Sequence, residues 1–182
     1  MKKEDLKKEL YDLLKAQLVC LGDLKCLSID ELNLKIAPRS WSILECIAHL
    51  NLYFDFYIPE IQKSLSNHKK SNMSNFRSGI IGSYFVNIIK PTSSNKPMKT
   101  SNEMNPVGSN LDIDEFLKFE KNMIKVIELL NLSISYNWNT VKTKVSISKY
   151  VKIRIGDTFR FIVYHNERHF KQIENILRTI KS

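Results

Sequence analysis

The chain has 182 residues, is 43% hydrophobic and carries five glycines and five prolines, which suits one domain with a sizeable core. Its 28 Lys and Arg against 19 Asp and Glu give a net charge of +9, but the basic residues are spread along the sequence, which argues against a nucleic-acid partner. The most apolar run is interrupted by Glu45, His49, Asn51 and Asp55, so no membrane association is expected. Three cysteines without a paired spacing, and no apolar leader after Met1, point to a reducing, cytoplasmic setting.

Leu6, Leu10, Leu13, Leu14, Leu18 and Leu21 share one face and predict a first helix over residues 3–21, stopped by Gly22. Residues 28–32 suit one further short turn, and Pro38 marks a boundary. Ser42-Ile43-Leu44-Glu45 is a capping box: the Ser42 hydroxyl accepts from an early backbone N–H and the Glu45 carboxylate reaches back to the Ser42 N–H. It predicts a second helix running through Leu65, with a bend or interruption at Pro59. Trp41, just before the cap, is placed to pack against Cys46 as a hydrophobic staple.

Residues 66–111 are rich in Ser, Asn and Lys and read as a long connection. Within it, residues 76–90 suit a short helix ended by Pro91, and residues 92–110 read as loop. His68 belongs to this solvated part. A third helix follows to Leu130, with Phe116, Phe119, Met123, Ile127 and Leu130 as its inner stripe. In the second long connection, residues 131–156, Val141, Val145 and Ile147 alternate with Lys142, Lys144 and Ser146, as extended chain would. Asp157 then reads as the N-cap of a fourth helix reaching Ile180. Four long helices predict an all-α four-helix bundle formed by one domain over residues 1–182. The long connection before the third helix lets the second and third helices run parallel.

On the fourth helix His165 and His169 fall on the same stripe as Ile162, Ile173, Ile176 and Ile180. Spacing of four residues stacks the two imidazoles one turn apart. His49 sits two turns inside the second helix, on the strip with Cys46, Tyr53 and Phe56. If those helices are neighbours, the three rings meet. From spacing alone two readings stand: a divalent ion with an open position, or core histidines satisfied by hydrogen bonds. Glu45, one turn before His49, is a candidate catalytic base as well as a cap. Gln172 shares a face with His169 and is a candidate support for it. Cys46 reads as a buried structural cysteine or a soft ligand.

Two stretches resemble a known family. Trp41-Ser42-Ile43-Leu44-Glu45-Cys46-Ile47-Ala48-His49-Leu50 is similar to the Trp-Ser-x-x-Glu-x-x-x-His-Leu signature of the DinB/YfiT-like superfamily. His165-Asn166-Glu167-Arg168-His169 is similar to its His-x-x-x-His signature on the last helix, and the stretch through Gly82, Pro91, Lys99-Thr100 and Pro106 resembles the middle connection of one subgroup. The resemblance implies a four-helix bundle of up-down-down-up topology and a divalent metal, zinc or nickel, held by His49, His165 and His169. It also implies a small-molecule substrate, with thiol S-transfer from a low-molecular-weight thiol to an electrophile as the expected activity. Hydrolysis by the same metal, or a non-catalytic role in a stress response, are the alternatives. A homodimer is expected on the same ground.

Overall fold

A computed structural model describes residues 1–71, 73–91, 99–109 and 111–180. Four long helices dominate: α1 (Lys3–Leu24), α3 (Ile43–Ser66), α5 (Asp114–Ser133) and α6 (Ile155–Ile180). Two short ones, α2 (Ile29–Asn33) and α4 (Ile80–Ile89), lie in the connections. Each of α1 and α3 packs against both α5 and α6, closing a ring around one apolar core that includes Leu10, Leu14, Leu50, Phe54, Phe116, Phe119, Phe159 and Ile173.

Side-chain pairs give the helix directions. Asn51 meets Glu115 and Asp55 meets Lys118, so residue numbers rise together along α3 and α5. They also rise together along α1 and α6, where Tyr164 donates to Glu9 and Gln17 to Glu167. Between α1 and α5 they run opposite: Lys3 Nζ reaches the Ile134 and Tyr136 carbonyls, whereas Lys25 pairs with Glu120. Lys3 is buried, and desolvation lowers its pKa.

Local sequence accounts for most helix starts. Both Ser28-Glu31 and Ser42-Glu45 form complete capping boxes, opening α2 and α3. Pro59 does not interrupt α3, which continues to Ser66. Gly22 does not stop α1 either; the helix runs on to Leu24, whose side chain joins Leu21 in the core one turn later. Burying that leucine outweighs the cost of about 1 kcal/mol for a helical glycine. In α5 the inner stripe takes Val126 and Leu129 beside Phe116, Phe119, Met123 and Leu130, leaving Ile127 half-buried.

The all-α expectation needs a correction, because β1 (Lys142–Val145) and β2 (Ser148–Arg154) form an antiparallel hairpin. Val141, Thr143 and Val145 point inward as their alternation requires, but Ile147 falls in the turn and is 64% exposed. The helix read over residues 76–90 is shorter, starting at Ile80, while Phe76 is buried ahead of it against Trp138. Of the loop read over residues 92–110, residues 92–98 and 110 lie outside the described residues. The rest holds a turn of 3₁₀ helix, Asn102–Met104.

Asp157 is the clearest departure from expectation. The last helix starts two residues earlier, directly from β2, so Asp157 lies inside its first turn, fully buried. Its carboxylate accepts from the Ser78 hydroxyl and from the Gly79 N–H at 2.8 Å, and pairs with Arg160 at 3.3 Å. It thereby fastens the start of α4 to α6. A Cβ at Gly82 would lie 2.3 Å from its Oδ2, so this approach depends on glycine.

Candidate metal centre

The capping box fixes where α3 begins and so which of its residues face α6. His49, two turns in, is 2% exposed; His165 and His169 on α6 are 3% and 7% exposed. The three rings converge through their Nε2 atoms, with His165 Nε2 lying 3.3 Å from that of His49 and 3.1 Å from that of His169. The expected meeting of the three histidines therefore occurs in the fold. His68 is elsewhere, exposed at the end of α3 with its Nδ1 on the Ser64 carbonyl.

The Met104 carbonyl fixes the His49 tautomer, and the Gln172 amide, as it is oriented, gives that of His169. His49 Nδ1 lies 2.6 Å from the Met104 carbonyl, which can only accept, so that nitrogen carries a proton. His169 Nδ1 lies 3.1 Å from Gln172 Oε1, with the amide oriented so that the oxygen accepts. In the neutral rings both Nε2 atoms then present lone pairs to the centre. Burial keeps the rings neutral: it lowers the His49 pKa to about 4, that of His169 to about 3, and that of His165 well below its ordinary value. His165 Nε2 can offer one proton to two facing lone pairs. The core-histidine reading therefore leaves the cluster short of a donor.

A cation fits where a proton does not suffice. Three nitrogens on a tetrahedral zinc at about 2.05 Å stand roughly 3.3 Å apart, close to the 3.3 and 3.1 Å that separate His165 Nε2 from its two neighbours, and all three ligand atoms lie within 4.8 Å of one another. Among the described residues no cysteine or carboxylate joins this group. Cys46 is fully buried in the core, and desolvation pushes its thiol pKa up. Both Glu45 oxygens are engaged, Oε2 by the Ser42 N–H at 2.9 Å and Oε1 by Lys35 at 2.7 Å.

Aromatic rings wall the cluster. Trp41, expected to staple onto Cys46, lies 4.7 Å from His49 and stacks on His169 at 5.7 Å. Tyr53 sits 4.4 Å from His165, and Phe161 stacks on that ring at 5.5 Å. Of these surroundings the sequence anticipates Gln172. It gives no sign of Met104, whose contribution is a backbone oxygen from a stretch read as loop.

The family model of the DinB superfamily matches residues 19–173. No curated protein and no solved structure gives a significant match. The match covers most of the chain and contains all three histidines, and the chain belongs to the DinB superfamily.

Proposed function

We propose that this member of the DinB superfamily binds one divalent ion through His49, His165 and His169 and transfers a thiol to electrophilic small molecules. The observation that carries the metal reading is the convergence of three Nε2 atoms, two of them committed by their Nδ1 partners to face the centre as lone pairs. When bound, a divalent ion at such a site lowers the pKa of a coordinated thiol or water, yielding a nucleophile near neutral pH.

The chain's own residues have definable parts in this reading. The Met104 carbonyl and Gln172 orient two imidazoles and raise their basicity. Trp41, Tyr53 and Phe161 fix ring planes and limit water. Glu45, tied to Ser42 and Lys35, holds the start of α3 in place; a role as proton acceptor would require it to leave Lys35. Three protein nitrogens leave a coordination position for substrate, as in catalytic sites, whereas structural sites take four protein ligands. That favours an enzyme over a purely structural ion. Zinc and nickel both suit imidazole. The helix pairings support an up-down-down-up bundle, with α1 and α6 in one direction and α3 and α5 in the other. Among the described residues, no helix is long and apolar enough to cross a membrane.

The test begins with metal analysis of protein purified without a nickel column. Metal-loaded wild type and His165→Ala are then assayed with a panel of low-molecular-weight thiols and electrophiles. Turnover that depends on metal and on His165 is the expected result. Hydrolysis of activated esters or amides without any thiol would replace transfer by the hydrolytic reading. Wild type that takes up no divalent ion would overturn both.

A further inference from the structure

Beside the histidines lies a group of hydroxyls that metal binding does not use. Tyr53, whose ring abuts both His165 and His49 at 4.4 and 4.9 Å, carries its hydroxyl toward Thr100 and Ser146. The neighbouring Tyr57 hydroxyl accepts from the Ser146 N–H at 3.3 Å. Thr100 Oγ1 is buried and faces Tyr53 without the geometry of a hydrogen bond. Only Arg160 Nε shares that condition among the described buried side-chain atoms. Buried hydroxyls are nearly always paired, and leaving one unpaired is unfavourable. Four residues beyond Thr100, Met104 touches His49, so this segment passes over the cluster.

We propose that the Tyr53 and Thr100 hydroxyls form a ligand subsite next to the histidine cluster, donating to one oxygen of a carboxylate or carbonyl group. A phenol carries its proton at neutral pH and can donate it in a hydrogen bond. The Tyr53 and Phe161 rings, 6.0 Å apart, offer the same ligand an apolar wall. Two preset donors beside an activated nucleophile suit an electrophile whose oxygen gains charge during attack. The subsite rests on the metal-centre reading for its catalytic meaning, but its existence can be tested without a metal.

Benzoate and benzamide, one a carboxylate and the other a neutral carbonyl, are titrated against wild type, Thr100→Val and Tyr53→Phe. Each protein is used metal-free and zinc-loaded, and binding is followed by tryptophan fluorescence and ligand-observed NMR. Zinc stoichiometry and far-UV circular dichroism are measured on the same samples. The expected result is binding of at least one probe to wild type, weakened roughly tenfold in each variant, with helix content and zinc stoichiometry unchanged. The tighter probe identifies the preferred oxygen. If neither probe binds wild type, or both variants bind as wild type does, the subsite is overturned whatever the zinc result. If wild type takes up no zinc yet the variants weaken probe binding in the metal-free form, the metal reading fails and the subsite stands.

Discussion

Two buried polar clusters are anchored on α6 and are built on opposite principles. At the first turn of α6, Asp157 is surrounded by donors: the Ser78 hydroxyl, the Gly79 N–H and the Arg160 guanidinium. Acceptor meets donor at both carboxylate oxygens, and of this cluster only Arg160 Nε is left without a partner among the described residues. Two turns on, His165 and His169 meet His49 of α3 and bring like groups together, Nε2 against Nε2, while their complementary partners, Met104 and Gln172, sit on the outside. A cluster that serves the fold closes on itself. One that serves a ligand turns its unsatisfied atoms toward a common point, and the support comes from behind.

The contrast makes opposite demands on mutants. The largest effect is expected at the triad: His165→Ala should weaken divalent-ion binding by about a thousandfold, or roughly 4 kcal/mol, with far-UV circular dichroism little changed. Isothermal titration with zinc measures it, and full occupancy in that variant would remove the proposed centre. Asp157→Ala should reverse the pattern. It leaves Arg160 its bond to Ser78 Oγ and takes the acceptor from two half-buried donors, at about 1–3 kcal/mol of folding stability by denaturant titration, while metal stoichiometry in the folded fraction stays the same. Loss of metal there at full stability would mean that the two groups are not separate.

Acid should act on the triad through its depressed pKa values. For His49, about 4 when folded against 6.5 otherwise, the unfolded chain binds more protons between these limits. Stability of the metal-free protein should therefore fall as pH drops from about 6.5 toward 4, by about 3 kcal/mol from this residue alone. His169 extends the loss toward pH 3. Denaturant midpoints across this range measure the slope, and His49→Ala should flatten it. A smaller effect is expected from Gln172→Ala, which should reduce metal affinity about 10- to 100-fold by releasing the His169 ring; His68→Ala should leave affinity unchanged.

What the sequence disclosed follows the reach of its signals. His49 was legible because a capping box seven residues earlier sets its helical phase, and His165 and His169 because a four-residue spacing admits one geometry. Asp157 was misread for a physical reason: a carboxylate near a helix N-terminus is favourable both at the cap and within the first turn. Its deciding partners, Ser78 and Gly79, lie nearly eighty positions away in sequence. The hairpin was half visible: the alternation read at Val141, Val145 and Ile147 suggested extended chain and holds for the two valines, but Ile147 falls in the turn and a strand partner is a long-range fact. Membership of the DinB superfamily adds the expectation of this bundle and site, through the very motifs that local spacing had already singled out.

The Met104 carbonyl carries a consequence for how the protein can vary over time. A main-chain oxygen is supplied by every amino acid, so point changes at position 104 need preserve only an apolar fit, since its side chain is 7% exposed. Insertions and deletions are another matter. Adding or removing one residue between Thr100 and Met104 would shift which oxygen meets His49. Surface loops ordinarily absorb length changes freely. Here the tolerance should be inverted: among natural variants, this stretch should drift in letters while holding its length.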